Sequence, residues 1–320
     1  MIAHDYSQGF PNNWITTQLE QEYAKKLFAK HFPKSKNGMI INCTWKEEDT
    51  KEEILQILDH ERVDAVLIFN FVDEYDTDSW NSFVQSCKQK AKRVLCAGHI
   101  VGKIQFQFWP LAVQRFFTQY SKQDLTGDPT QLYVCYNRKP HDHRVDLYNS
   151  FKKHKLLDQG TYTLGSEEGN GVSYDNNDFS GDDAFPVFGT YYGVPNDLMS
   201  LGNMDVWRSS ALCIVNETIY GTNTVDGFPF LTEKTFKPIV GCKPFIILGP
   251  NGAVDYLEQH GFKTYNKHLG LSNNPTVKDI TNCIKSLTID DVKPLYELVE
   301  YNLNHFNAYC KNELARLRLE

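Results

Sequence analysis

One segment limits the fold more than any other part of the chain: residues 63–71, VDAVLIFNF, form an almost unbroken apolar run. Such a run is typical of a strand in a parallel sheet, because helices cover both faces of that kind of sheet. An amphipathic helix starting at Thr50 precedes it, and another near residues 78–90 follows. With further short apolar runs at 38–45 and 93–98, this alternation predicts a small doubly wound α/β domain.

The alternation resumes after a polar, turn-rich segment at residues 120–131, so we predict two domains, residues 1–124 and 125–320. In the second domain, strands are predicted at 132–137, 210–217, 244–249 and 262–265, and helices at 143–157, 276–287 and 291–316. The segment 158–205 is rich in Gly, Asp, Asn and Tyr and is expected to be mostly loop. The last helix is a candidate to cross back to the first domain. Two such domains predict a ligand cleft between the carboxyl ends of their sheets.

Composition and charge exclude several classes of protein. With 33 Lys+Arg and 40 Asp+Glu, the net charge of -7 argues against a constitutively basic nucleic-acid clamp. No apolar run approaches the roughly 20 residues of a membrane span, and the N-terminus lacks the pattern of a signal peptide. The 8 cysteines contain no C-x-x-C pair, which removes support for a zinc ribbon or a redox pair. We therefore expect a cytoplasmic protein without a membrane span.

The first cluster of polar residues that suggests chemistry follows the predicted strand 132–137. It runs Asn-Arg-Lys-Pro-His-Asp-His-Arg from Asn137 to Arg144, directly into a predicted helix. Basic side chains at a helix start oppose the helix dipole, so local stability does not favour them there. Arg138 and Arg144, together with the free amides of the helix start, predict an anion site of the kind that binds phosphate. The alternative is a solvated basic turn.

The second cluster lies at the end of strand 210–217 and at the start of the next helix. Glu217 ends the strand, and Thr232 is a plausible N-cap for a helix that opens with Glu233 and Lys234. A carboxylate at this place can accept both hydroxyls of a ribose, while a neighbouring lysine meets a phosphate. Alternatively, Glu233 only complements the helix dipole and Lys234 is solvated. Pro238 predicts that the helix is short or kinked.

The stretches SALCIVNE and FLTEKTFKPIVGCKPFIILG, between Ser210 and Gly249, resemble the nucleotide-binding domain of alpha-1,3-fucosyltransferases. They resemble still more closely the glycosyltransferase-like proteins of large bacteriophages and marine viruses. Those proteins share an N-R-x-P-x-x-H-R segment and the motif F-L-T-E-K-T-[FW]-K-P-I. The resemblance covers mainly residues 132–157 and 210–265. It implies a GT-B fold, with two Rossmann-like domains facing a cleft, an acceptor-side domain first and a nucleotide-sugar-binding domain second. It also implies that no metal is required and, for a viral protein, that the host cytoplasm is its location.

Carried over residue by residue, the resemblance assigns roles to the two clusters. Arg138 or Arg144, with Lys234, would hold the pyrophosphate of the donor. Glu233 would bind the donor ribose, and Glu217 would face the sugar or the ribose. Segment 158–205 departs from the fucosyltransferase pattern, so the resemblance does not identify the donor sugar.

A catalytic base is the least specific of these predictions. An inverting transferase needs a general base on the acceptor hydroxyl, and a retaining one does not. Strand 63–71 leads into Asp73 and Glu74, and strand 93–98 leads into His99, so these three residues are the candidates for the first domain. Each is also compatible with a structural role. The cluster Asp175, Asp178, Asp182 and Asp183 is interpreted as a solvated loop rather than a cation site.

These observations predict a glycosyltransferase that moves a sugar from a nucleotide-diphosphate sugar to an acceptor hydroxyl, with a glycan ranked first as acceptor. Hydroxymethylated DNA is the alternative acceptor, for which Lys88, Lys90, Lys92, Arg93 and Lys103 would supply a basic track and Phe106, Phe108 and Trp109 a stacking surface. A solvated helix end and a buried core, respectively, are the favoured interpretations of those residues. Two further alternatives are a nucleotide-sugar-binding protein without catalysis and a GT-B-like epimerase.

Overall fold

The chain forms two compact units in a computed structural model. The structure describes residues 2–8, 15–43, 48–60, 62–70, 77–98, 104–117, 125, 127–137, 140–164, 190–191, 194–195, 201–221, 224–225 and 228–319. The first unit comprises Met1–Phe108, Tyr191–Val194 and Lys311–Glu320, and the second comprises Trp109–Thr190 and Pro195–Cys310. Each unit contains one parallel sheet with helices, as expected for an α/β protein.

The five strands of the first sheet lie side by side in the order in which they occur in the chain. They are β1 (Ile2–Gln8), β2 (Asn37–Cys43), β3 (Ala65–Asn70), β4 (Val94–Gly98) and β5 (Ile104–Gln105), all parallel. The helices between them are α1 (Ile15–His31), α2 (Glu48–His60) and α3 (Thr77–Lys90). The order of the described strands does not reverse.

Helices nevertheless cover both faces of the first sheet. On one face, α2 and α3 pack on the strands through Met39, Ile41, Ile54, Leu58, Val66, Ile68, Phe83 and Cys87. On the other face α1 comes very close at Gly38, where a Cβ atom would lie 2.0 Å from Cζ of the buried Phe28. Strand β3 is fully buried from Ala65 to Phe69, which confirms the prediction of a parallel strand covered on both faces.

The second sheet has a different strand order. The strands of this part of the chain are β6 (Gln131–Asn137), β7 (Gly160–Leu164), β8 (Thr190–Tyr191), β9 (Val194–Pro195), β10 (Ser210–Gly221), β11 (Thr224–Val225), β12 (Phe228–Pro229) and β13 (Phe245–Pro250). Four of them form a parallel sheet in the order β13-β10-β6-β7, and the short strands pair as β8 with β9 and β11 with β12. From β6 the chain goes first to β7 on one side and later to β10 on the other. The strand order therefore reverses between β6 and β10.

The helices of the second half complete the architecture. They are α4 (Phe108–Phe116), α5 (Asp142–Lys153), α6 (Met204–Ser209), α7 (Glu233–Val240), α8 (Ala253–Gln259), α9 (Val277–Ser286), α10 (Ile289–Val292) and α11 (Tyr296–Leu317), with 3-10 turns at Leu157–Gln159 and Lys293–Leu295. Residues from Lys311 onward group with the first unit, where Lys26 Nζ donates to the carbonyl of Leu319 at 2.7 Å. None of the helices in the described ranges has the length and apolar character needed to cross a membrane.

Three local predictions differ from the structure. Strand β7 lies within the segment expected to be mostly loop, and no strand forms at 262–265, where an edge strand was expected. Strand β1 was not predicted. The predicted strands 132–137, 210–217 and 244–249 are confirmed as β6, β10 and β13, with β10 continuing to Gly221.

Candidate functional site at the carboxyl ends of β6 and β10

The carboxyl ends of β6 and β10, which we call the β6/β10 edge, lie where the strand order reverses. In parallel α/β sheets the crevice for a ligand forms at such a reversal, because the connections on either side lead away in opposite directions. Cys213 of β10 is in register with Val134 of β6, so Asn216 lies level with Asn137 three residues further on. Both asparagines are buried, and within the described structure their Oδ1 atoms have no hydrogen-bond partner. This edge therefore keeps two buried acceptors unsatisfied, which is uncommon in a protein interior.

Glu217, the next residue of β10, is completely buried and anchors the start of α7. Its Oε1 accepts from the backbone amides of Thr232 (3.1 Å) and Thr235 (3.2 Å) and from the Thr235 hydroxyl (2.5 Å). Its Oε2 accepts from the Thr232 hydroxyl at 2.6 Å and from the amide of Thr218 at 3.3 Å. The first amides of a helix have no partner inside the helix and attract negative charge. Glu217 supplies that charge from within the protein.

The local sequence around α7 explains why this helix begins and ends where it does. Thr232 is the N-cap, and its hydroxyl accepts from the amide of Lys234 at 3.4 Å, which confirms the predicted cap. Pro238 lies inside the helix, which has 8 residues and ends before Gly241. The prediction of a short helix is thus also confirmed.

Lys234, in the first turn of α7, presents a partly exposed ammonium group to the same edge. Its Nζ donates to Thr218 Oγ1 (3.3 Å), Thr232 Oγ1 (3.2 Å) and Glu233 Oε1 (3.0 Å). The Lys234 side chain is 22% exposed and that of Glu233 only 4%. Burial by itself raises the pKa of Glu233, but the ammonium groups of Lys234 and Lys237 outweigh it, and the pKa lies below its ordinary value. Glu233 is therefore ionised at neutral pH and pairs with Lys234.

Arg144, in the first turn of α5, is buried and bonded to the end of β10. Its Nη2 donates to the carbonyl oxygens of Asn216 (3.1 Å) and Glu217 (3.0 Å). Burial lowers the pKa of the guanidinium, while the carboxylates of Glu217 and Glu233 act in the opposite direction. An arginine remains charged under such conditions, so a fixed positive charge lies beneath the β6/β10 edge.

His143, next to Arg144, forms a ring stack that the sequence did not reveal. Its Nε2 lies 2.9 Å from the carbonyl oxygen of Glu217, and because a carbonyl only accepts, this nitrogen carries the proton. Burial lowers the pKa of His143, which favours the neutral ring. The ring is nearly parallel to Tyr220, with centroids 5.3 Å apart, and to His141, with centroids 6.1 Å apart. The one sign of this stack in the sequence is Tyr220, a tyrosine near the end of β10.

The structure brings five of the predicted site residues together at the β6/β10 edge: Arg144, Glu217, Thr232, Glu233 and Lys234. Their contacts with a ligand stay predictions, as does the role of Arg138, which lies outside the described residues. The three candidate bases Asp73, Glu74 and His99 also lie outside them, as does the aspartate cluster at 175–183.

Two of the residues proposed for a DNA track have ordinary structural partners. Lys90 pairs with Asp59, and Arg93 lies 3.7 Å from Asp64. The three aromatic side chains considered as a stacking surface, Phe106, Phe108 and Trp109, are buried. Their favoured interpretation as core is confirmed.

Comparisons with known proteins add no family. The chain matches no protein-family model, and no curated protein is significantly similar to it. Among the described residues, no three His, Cys, Asp or Glu side chains come together as metal ligands would.

Proposed function

We propose that this protein is a GT-B glycosyltransferase that binds a nucleotide-diphosphate sugar at the β6/β10 edge and transfers the sugar to the hydroxyl of a glycan. One observation carries the proposal. Two clusters that are separate in the sequence come together where the strand order reverses. One contains Arg144, after β6, and the other contains residues from Glu217 to Lys234; the sequence assigns both to nucleotide-sugar binding. Ligand sites of open parallel sheets lie at that position.

The β6/β10 edge holds cations that a diphosphate can use, beside the carboxylates of Glu217 and Glu233. Lys234 is a partly exposed cation, and Arg144 adds a buried positive charge on the carbonyl of Glu217. Because Glu217 already satisfies the first amides of α7, we assign it to holding Lys234 in position, and we assign the phosphate contact to the Lys234 ammonium. We assign the contact with the ribose hydroxyls to Glu233, whose carboxylate is released when Lys234 turns to the phosphates.

The proposed reaction forms a bond between the acceptor oxygen and the anomeric carbon of the sugar. The bond from that carbon to the diphosphate breaks, and the nucleoside diphosphate leaves with the electron pair. A preorganised cation beside the leaving group stabilises the charge that develops there. The acceptor proton goes to a general base if the configuration inverts, with Asp73, Glu74 and His99 as the proposed candidates, and to the departing diphosphate oxygen if the configuration is retained. We propose no metal in this step.

The test is Lys234→Ala, assayed with a panel of nucleotide sugars against glycan acceptors and hydroxymethylated DNA. We expect turnover to fall about 100- to 1000-fold, the effect of removing one charge-stabilising donor. The matched control is Lys285→Ala, which removes an exposed lysine in the last turn of α9 and should leave turnover unchanged. Unfolding midpoints of both variants show whether the fold is retained.

Two results would contradict the proposal. Turnover like that of the wild type in Lys234→Ala would remove the central role of this lysine. Binding of nucleotide sugars by the wild type without transfer, hydrolysis or epimerisation would instead identify a binding protein. Transfer to DNA rather than to glycans would change the acceptor and leave the donor site standing.

A further inference from the structure

Tyr220 presents an exposed aromatic ring beside the proposed donor site. It is 37% exposed, and Tyr301 at 44% is the other exposed large hydrophobic residue in the part of the chain that the structure describes. The Tyr220 ring lies at 20° to that of His143, and the His143 ring lies at 4° to that of His141. Three flat rings are therefore nearly parallel, and the tyrosine among them faces solvent.

This stack is held in place rather than loosely arranged. His143 is fixed through its Nε2 to the carbonyl of Glu217, on the same strand as Tyr220. The neutral ring favoured by burial needs no counter-ion. Because the tyrosine ring is already ordered, a ligand that stacks on it causes little further loss of side-chain conformational entropy.

The exposed ring and the Lys234 ammonium both lie near the carboxyl end of β10. The pairing of β10 with β13 shifts register between Asn216 and Gly221, and in this irregular stretch Ile219 is buried whereas Thr218 and Tyr220 are not. Lys234 Nζ contacts Thr218 Oγ1 at 3.3 Å, and Tyr220 follows Thr218 by two residues. A cation and a flat ring are therefore neighbours at this end of the strand.

We propose that the Tyr220–His143–His141 stack is the nucleobase subsite of the donor, with the base lying on the exposed face of Tyr220. This inference rests on the proposed function and adds the element that recognises the base. A nucleoside diphosphate has a flat, neutral ring at one end and an anionic diphosphate at the other, and these suit the Tyr220 ring and the Lys234 ammonium respectively. Stacking alone tolerates every base. The subsite therefore favours ligands that carry a nucleobase but does not distinguish one nucleobase from another.

The test compares the binding of ADP, GDP, CDP, UDP and inorganic pyrophosphate to the wild type and to three variants by calorimetry. Tyr220→Ala should bind the preferred nucleoside diphosphate about 10- to 100-fold more weakly, the loss of one base–aromatic stack. Its affinity for pyrophosphate should not change. Tyr220→Phe should bind like the wild type because it keeps the ring. Tyr301→Ala removes the other exposed tyrosine and should have no effect.

Each alternative outcome separates this inference from the proposed function. Unchanged nucleotide binding in Tyr220→Ala would overturn the stack and leave the donor site intact. Equal weakening of pyrophosphate would also overturn it, since the tyrosine would then support the fold or the phosphate contact. No binding of any nucleoside diphosphate by the wild type would defeat both proposals.

Discussion

The two parallel sheets of this protein have similar size but differ in what their strands bury. In the first sheet, the strands follow chain order, and the side chains described on β2 to β5 include no buried charged group. In the second sheet the order reverses at β6 and β10. Here Glu217 is buried at one end of β10, and Lys243 is bonded to the other end. Where the structure describes side chains, the first sheet therefore buries apolar and neutral groups, whereas the second also buries charged groups at the two ends of β10.

Buried polar groups are expensive unless every one is satisfied. Glu217 meets that condition with five donors, and Arg144 joins the same network through the carbonyl of Glu217. An apolar strand end would be simpler and no less stable. The placement of this network at the strand reversal therefore supports a role in function.

Glu217→Ala gives the largest expected change in stability and is the strongest way to break the comparison. It leaves the buried amide of Thr232 without the carboxylate acceptor and the amide of Thr235 with only the carbonyl of Thr232, at 3.3 Å, and Arg144 loses a nearby carboxylate. We expect the free energy of unfolding to fall by about 3–5 kcal/mol, as for other broken buried charge networks. Denaturant unfolding measures it.

Glu217→Gln separates the charge from the hydrogen bonds. The amide oxygen can still accept from the two backbone amides of α7, so we expect a smaller loss of stability, of about 1–3 kcal/mol. If Glu217→Ala costs no more than about 1 kcal/mol, a typical single hydrogen bond, the carboxylate does not anchor α7. In that case the two sheets do not differ in the way proposed.

Gly38→Ala tests the packing side of the comparison, in the first sheet. A Cβ at this position would lie 2.0 Å from Cζ of Phe28, a ring buried under α1, so either the ring or the helix must move. Overpacking of a filled core costs about 1–3 kcal/mol, and we expect that loss in denaturant unfolding with unchanged nucleotide binding. The control is Gly252→Ala, at a position where a Cβ meets open space but φ is 83°. It measures the effect of backbone strain without overpacking. A neutral Gly38→Ala would show that this layer is loosely packed.

The sequence predicted the strands that are apolar and missed those that are not. Strand β3 was clear because its run is apolar on both faces. Strand β7 was missed because two of its buried residues are threonines, whose hydroxyls are used inside the sheet. Thr161 Oγ1 donates to Gln131 Oε1 at 2.9 Å, and Thr163 Oγ1 accepts from the amide of Asn137 at 3.1 Å. Such partners come from a neighbouring strand and leave no local pattern.

The candidate site shows the same limit. The N-cap at Thr232 and the short helix with Pro238 follow from local rules, and both are confirmed. The anchoring of α7 by Glu217 does not, because the carboxylate binds residues that come 15 and 18 positions later in the chain. His143 was noted only as part of a basic cluster, since its stack on Tyr220 joins a helix start to a distant strand.

The smallest expected effect concerns Lys243, at the amino end of β10. Its buried ammonium donates to the carbonyl of Ser210 and lies 5.3 Å from the centroid of the Trp207 ring. Burial lowers the pKa of Lys243 from 10.5 to about 8. Above about pH 8 the unfolded chain therefore binds more protons at this residue than the folded chain does. The contribution of Lys243 to the free energy of unfolding consequently rises with pH. Between about pH 7.5 and about pH 9, the stability of the wild type relative to Lys243→Met should rise by about 1 kcal/mol. Cysteines and tyrosines that titrate in the same range contribute to the pH dependence of both proteins, so their contribution largely cancels in the difference. A flat or falling difference would mean that Lys243 keeps its ordinary pKa, and that charge is not costly at this end of the second sheet.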